Sequence, residues 1–179
     1  DSDSDSDSAS SPVSVSIKVR PYIGPIKTQQ TFTAIVKDAK AKPVYRTQVE
    51  WILARAHSTV GDIIEVGENP LKGTSKIDNT YAIGETNRRG ESTINITSVE
   101  EGTTHIIAVV REIKDKSQYK AFVAMHWLDA ESEFPNNSAQ KIGTSRILNT
   151  MIRKASTGAP LADYQVKWNV TSGPAAYFN

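Results

Sequence analysis

Cysteine is absent from the chain. That single absence excludes a disulfide framework, thiol catalysis and cysteine-based zinc sites, while fitting an exported bacterial domain as well as a cytosolic one. An excess of either charge is missing too: 21 Lys and Arg stand against 20 Asp and Glu, a formal net charge of +1. No bulk polarity therefore recruits nucleic acid or acidic lipid. Aromatics are sparse at 7%, and "NRR" at 87–89 with Lys76 is too small a cationic set for nucleic acid, which wants a basic stripe with interleaved aromatics. No apolar run approaches the ~18 residues of a membrane-spanning helix, and no basic start leads into an apolar h-region. The chain is expected to be soluble, and to be a mature or excised piece. Helical periodicity is lacking except for one possible turn around Ala54 to Ser58.

What is present is a period of two. "VSVSIKV" sets Val13, Val15, Ile17 and Val19 on one face against Ser14, Ser16 and Lys18 on the other, the pattern of a half-buried strand. "TFTAIVKD" sets Phe32, Ala34 and Val36 against Thr31, Thr33 and Ile35, and "VEWILA" points Val49, Trp51 and Leu53 one way. "GDIIEV", "KIDNTYAIGET", "STINIT" and "TTHIIAVV" continue the series, with a turn at "NRRGE" where Asn87 and Gly90 supply the chemistry. "YKAFVAMHWL" closes it, with Tyr119, Ala121, Val123, Met125 and Trp127 on one face. Short strands with turn signals between them and no sustained helix are the signature of an immunoglobulin-like β-sandwich. A tryptophan at an inward strand position reads as a plug between two sheets.

Before this series stands "DSDSDSDSASS", residues 1–11, which contains nothing apolar enough to offset the entropy of ordering. It reads as a solvated tail; Asp1, Asp3, Asp5 and Asp7 lack the central glycine and terminal glutamate of an EF-type calcium loop. After the series stands "DAESEFPNNSAQK", residues 129–141, polar and without alternation, which reads as a linker.

The grammar then restarts. "QVEWIL" at 48–53 returns as "QVKWNV" at 165–170, and the shift that carries Trp51 to Trp168 also carries Thr33 to Thr150, Ile35 to Ile152, Lys37 to Lys154, Pro43 to Pro160 and Val44 to Leu161. A strand, a proline turn and a strand with a tryptophan plug occur twice, which is a tandem repeat. The expected organisation is a tail at 1–11, a complete sandwich at 12–128, a linker at 129–141 and the N-terminal part of a second sandwich at 142–179. The fold class is all-β, tandem immunoglobulin-like sandwiches with the second incomplete, and Trp51, Trp127 and Trp168 are the expected core plugs.

The order "VKDAKAKPVYRTQVEWIL", "VGDIIEV", "NRRGESTINITSVEEGTTHIIAVV" resembles bacterial Ig-like domains of the invasin and intimin type, with a nearer resemblance to large repeat-containing surface proteins of planctomycete-like bacteria. The resemblance covers almost everything after Ser11. One departure is visible: "KDAKAKP" has Lys42 where the turn of that family usually carries glycine, whereas "KASTGAP" has Gly158. The shared residues are core and turn positions, so they specify fold far better than function. The resemblance implies a non-catalytic structural or adhesive module of a large bacterial cell-surface repeat protein, extracellular or at the cell surface, acting as a rigid spacer. Its implied partners are neighbouring Ig-like domains or other copies of the same protein. The alternative is an extracellular filament or envelope-layer subunit that assembles by strand exchange through its incomplete second sandwich. Stacked modules of this kind often stiffen their junctions with calcium, and the carboxylates placed for it are Asp129, Glu131 and Glu133 in the linker with Asp163 beyond it.

Catalytic patterns are missing. His57, His105 and His126 each stand alone, without the helical spacing of a zinc site; His105 and His126 fall on neighbouring strands, where a pair across the sheet is the one arrangement to look for. There is no G-x-S-x-G elbow, and "GENPLKGTS" and "GPAAYF" do not join a strand to a helix that could hold a phosphate. Asn95, Asn136 and Asn169 begin Asn-x-Ser/Thr triplets, two of them within expected strands. Trp127 beside the linker could offer an aromatic surface to carbohydrate, but its alternation with Val123 and Met125 favours the core. No enzyme activity and no cofactor is expected beyond the junction calcium.

Overall fold

A computed structural model describes residues 10–18, 23–54, 59–67, 75–76, 78–136, 139 and 141–169, with residues 75–76 described by their backbone. The start of the acidic tail, Val19, the helical turn expected after Ala54 with His57, and Val170 at the close of the second tryptophan phrase lie outside these residues.

Among the described residues the first unit has ten strands: β1 Ser14–Ile17, β2 Ile23–Pro25, β3 Gln29–Lys37, β4 Gln48–Ala54, β5 Asp62–Val66, β6 Ser75–Lys76, β7 Tyr81–Glu85, β8 Glu91–Thr97, β9 Gly102–Val109 and β10 Lys120–Leu128. They form a four-stranded sheet in the order β1-β3-β8-β5 and a six-stranded sheet in the order β2-β10-β9-β4-β7-β6. The first order matches the A-B-E-D sheet of an immunoglobulin domain, and β10-β9-β4 matches its G-F-C core. The protein has an immunoglobulin-like sandwich fold.

Period two places one face of each strand between the sheets. Phe32, Ala34 and Val36 of β3, Val49, Trp51 and Leu53 of β4, Ile94 and Ile96 of β8, Ile106 and Ala108 of β9, and Met125 and Trp127 of β10 are all buried in one core. Both tryptophans find partners for their indole N–H, which burial would otherwise leave costly. Trp51 Nε1 donates to Ser92 Oγ at 3.1 Å, and Trp127 Nε1 donates to Thr104 Oγ1 at 2.7 Å. The Thr104 hydroxyl passes its own proton on to the Val60 carbonyl.

Side-chain acceptors close the turns. Asp38, Asp78, Asn87 and Asp115 each use Oδ1 to take the backbone N–H two residues on, the Asx arrangement that mimics a backbone turn. Of these only Asn87 stood out in the sequence. Gly90 beside it has φ 69°, and a Cβ there would come within 2.6 Å of the Val36 carbonyl.

Two strands were not legible. β2, "IGP", pairs in parallel with β10, so β1 lies in one sheet and β2 in the other. β6 forms the outer flank of β7. Val13, expected inward, is 40% exposed just before β1, although its N–H donates to the Lys37 carbonyl at 2.8 Å.

The expected linker also needs correction. Its Glu131–Glu133 stretch is a strand, β11, paired antiparallel with β12, Met151–Arg153. All three β11 residues are exposed, so backbone pairing holds the strand without an apolar face, and the alternation test is blind to it. β11 and β12 repeat the geometry of β1 and β3 with a slip of one residue. Val15 faces Val36, whereas Ser132 faces Ile152. The following turn is bridged Lys37 to Pro43 in the first copy but Arg153 to Pro160 in the second. The ungapped correspondence of Ile35 with Ile152 is therefore replaced by Val36 with Ile152, and the second turn is one residue longer. Its left-handed residue, Gly158 (φ 72°), occupies the place of Ala41 (φ 60°), so the missing glycine of the first turn belongs at Ala41 and not at Lys42.

Candidate functional site

The place where the two units meet is the best-built polar feature outside the core. β10 ends at Leu128, β11 starts at Glu131, and Asp129 sits in the step between them. Its backbone N–H donates to Glu101 Oε1 at 2.7 Å, which ties the exit of β10 to the loop between β8 and β9. Its carboxylate faces the second unit. Oδ1 accepts the Ser156 backbone N–H and Oδ2 accepts the Ser156 hydroxyl, each at 2.7 Å. Ser156 is in the turn after β12, and its neighbour Ala155 packs on the core cluster of the first sandwich. The second hairpin is thus fastened to the first unit by two charge-assisted hydrogen bonds and a small apolar contact.

The Ser156 hydroxyl and amide hold the Asp129 carboxyl below the usual aspartate range, with Lys154 and Lys27 adding to the effect. A depressed carboxylate stabilises the docked arrangement above its ordinary value and withdraws that stabilisation as pH falls through the lowered one. Within the hairpin itself, Glu133 pairs with Arg153 at 2.9 Å and its carbonyl accepts the Thr150 hydroxyl at 2.7 Å. The Glu133–Arg153 pair is exposed on both sides and contributes little.

The expected calcium ligands are not drawn together. Asp129 turns to Ser156, Glu133 to Arg153, Glu131 points to solvent from β11, and Asp163 lies exposed in the segment after the second turn with φ 63°. Among the described residues no group of three His, Asp or Glu side chains converges as a metal site would require.

The tryptophans divide. Trp51 and Trp127 are buried at 0% and 1% exposure. Trp168 is partly exposed in a segment with no strand assignment, so the second use of the phrase does not make a plug here. The reason is physical: a tryptophan is buried by the sheet opposite it, and among the described residues the second unit has only the β11-β12 hairpin. Trp127 faces the core and presents no ring to carbohydrate.

No family model matches the chain, and no curated protein sequence matches it. Solved structures do. The D00-D0 domain of intimin matches with TM-score 0.43 and 14% identity, over 66% of this chain and 47% of that one. Domains 1 to 6 of the surface layer protein SbsC match with TM-score 0.43 and 13% identity, over 86% of this chain and 17% of that one. A cohesin module from a Clostridium perfringens glycoside hydrolase matches with TM-score 0.39 and 9% identity, over 66% of this chain and 96% of that one. The chain thus spans less than half of the first and under a fifth of the second.

Of the two described histidines, one has a hydrogen-bond partner and the other a ring partner. His126 Nδ1 lies 3.0 Å from the Thr103 hydroxyl, and His105 stacks on Phe122 with ring centroids 5.6 Å apart and planes 20° from parallel. They share the outer face of the six-stranded sheet but do not form a pair. An ion pair with a buried member joins Glu50 to Arg111, where Arg111 Nη2 donates to Glu50 Oε2 at 2.9 Å and Nε to the other oxygen. This fork, opposed by burial, holds the Glu50 carboxyl below its usual range. It neutralises a carboxylate on a sheet face and offers no group poised for proton transfer. The junction lock was missed in its true form: Asp129 was visible as an acid at a domain boundary, but Ser156 carries no signal beyond lying in a turn.

Proposed function

We propose that this chain is a non-catalytic structural module of a bacterial cell-surface repeat protein, a rigid spacer that passes one sandwich directly into the next. The observation that carries the reading is the Asp129–Ser156 lock with Ala155 against the first core. A flexible linker would leave the units free to swivel, whereas here the residue just after the exit strand, Asp129, accepts two hydrogen bonds from the turn after β12. The repeat of the β1-β3 pairing as β11-β12 gives such a chain a way to grow by adding units in a fixed orientation. Supporting a non-catalytic role, His126 is hydrogen-bonded to Thr103 and the buried Glu50 is held by Arg111. The extracellular placement and the surface-protein context belong to the same proposal. The test is small-angle scattering of the wild-type chain and of Asp129→Ala. A profile fitted by one rigid arrangement in the wild type, with a larger radius of gyration in the variant, supports the spacer; indistinguishable profiles sink it.

A second reading, assembly by strand exchange, is favoured by one observation. Phe134, Ile142, Ile147, Met151, Tyr164 and Val166 of the second unit all face solvent. Strands of another copy laid against them would cover these groups by β-augmentation. Light scattering that finds an oligomer in the wild type and a monomer in Ile147→Asp would favour this reading, while an oligomeric state unchanged by the substitution would remove it.

A further inference from the structure

The two outer faces of the sandwich are unlike. On the four-stranded sheet the row Thr31, Asn95, Glu65 is a polar ladder, with the Thr31 hydroxyl donating to Asn95 Oδ1 at 2.7 Å and Asn95 Nδ2 donating to Glu65 Oε2 at 3.1 Å. The six-stranded sheet carries the opposite chemistry. Its strand registers align Phe122 with Ile107, Ile107 with Ile52, and Ile52 with Tyr81, one unbroken apolar row across β10, β9, β4 and β7. Phe122 is 63% exposed, and Ile23 and Leu128 at one end of the same face are also exposed. Glu85 Oε2 and His105 Nδ1, the two buried side-chain polar atoms without a hydrogen-bond partner among the described residues, both lie on strand positions of this face.

We infer that the outer face of the six-stranded sheet is an interface for a second copy of this chain, the two sheets stacking about a two-fold axis that runs along the strands between β9 and β4. The row is a palindrome, aromatic–Ile–Ile–aromatic, which is what a self-complementary interface needs. A rotation about that axis keeps the rows at one height and exchanges the flanks. Phe122 then falls on Tyr81 of the other copy, and Ile107 falls on Ile52. Lys120, exposed one row away on β10, then falls on Ile83 of the other copy, its aliphatic stem covering apolar surface while its ammonium stays in water. The Glu50–Arg111 fork is already satisfied within the chain and leaves this match undisturbed. Strands of 3, 9, 8, 7, 5 and 2 residues at ~3.3 Å per residue and ~4.8 Å spacing give a face on the order of 500 Å², or about 1,000 Å² over two copies, the lower bound of a specific interface. The surface is separate from the strand-exchange reading above, which uses the second unit.

The test uses the full chain. In sedimentation velocity from micromolar to millimolar concentration the wild type forms a reversible dimer, and Phe122→Glu, a change at an exposed site, weakens it by about a hundredfold or more. Because the chain has no cysteine, a Phe122→Cys, Tyr81→Cys double variant reports the geometry directly. The two positions lie three strand spacings apart within one chain, roughly 14 Å, whereas sheets stacked face to face lie ~10 Å apart, too far for a disulfide but within reach of a bismaleimide whose span is shorter than the intrachain separation, so treatment with that reagent gives a covalent dimer linking 122 to 81. Phe122→Cys alone gives no covalent dimer. A wild type that stays monomeric at every concentration overturns the proposal and leaves the face to a different partner. A dimer that survives Phe122→Glu, or one that cross-links as fast through position 122 alone, overturns it as well.

Discussion

Replacing Trp51 with Phe takes away a ring at the centre of the sandwich and the N–H that Ser92 accepts. Trp51 is fully buried, and the space around it is already tight: a Cβ on Gly84 would lie 2.6 Å from Ser92 Oγ and 3.7 Å from Trp51 Nε1. The loss of ~40 Å³ at ~24 cal/mol per Å³ of cavity contributes about 1 kcal/mol, and the lost transfer of the removed atoms adds roughly another. Ser92, 3% exposed, is left with a buried hydroxyl lacking its indole donor, a further ~1 kcal/mol. The expected destabilisation is about 3 kcal/mol, read by urea denaturation followed by circular dichroism. The double variant Trp51→Phe, Ser92→Ala should recover about 1 kcal/mol of that loss, because both polar partners are then gone. A cost below about 0.5 kcal/mol, or no recovery in the double variant, would refute the description of Trp51 as a hydrogen-bonded plug.

Three other expectations follow from the same geometry. Trp168→Phe should change stability by less than about 0.5 kcal/mol in the same denaturation, since that ring is partly exposed and outside the sheets. Ala41→Gly should raise stability by about 0.5 kcal/mol in thermal unfolding, because Ala41 is held at φ 60° where only glycine escapes the left-handed penalty, less the added entropy of the unfolded chain. Acidification should undock the second unit only below the ordinary aspartate value of about 3.9. The lowered Asp129 carboxylate keeps its bonds to Ser156 above that pH and loses them as pH falls through its own value, which the Ser156 amide resonance would follow by NMR. An amide that titrates at or above the ordinary value would contradict the lock.

The strands with a buried face were legible because alternation and burial are the same fact seen twice. Phe32, Ala34 and Val36, or Val49, Trp51 and Leu53, can point inward together only on a strand. β2 escaped notice because three residues that include glycine and proline show no alternation, and its pairing is decided by β10. β11 escaped because every side chain on it faces water. The second tryptophan phrase was overread for a related reason. The letters around Trp168 repeat those around Trp51, but burial is a property of the opposite sheet, which local sequence does not encode. The junction was legible in location and not in chemistry: the acids at 129–133 marked a boundary, while the partner that fixes Asp129 is a serine in a turn. The one-residue slip between the two hairpins is likewise invisible to an ungapped comparison, since either register leaves the proline turn in place.

The central claim is that the second unit is held in one orientation on the first. Residual dipolar couplings measured separately for backbone amides of residues 23–128 and of β12 with its turn test it most directly. A single alignment tensor fitting both sets is the expected result. Two tensors of clearly different magnitude would mean that the units move independently, and the rigid spacer would have to be abandoned.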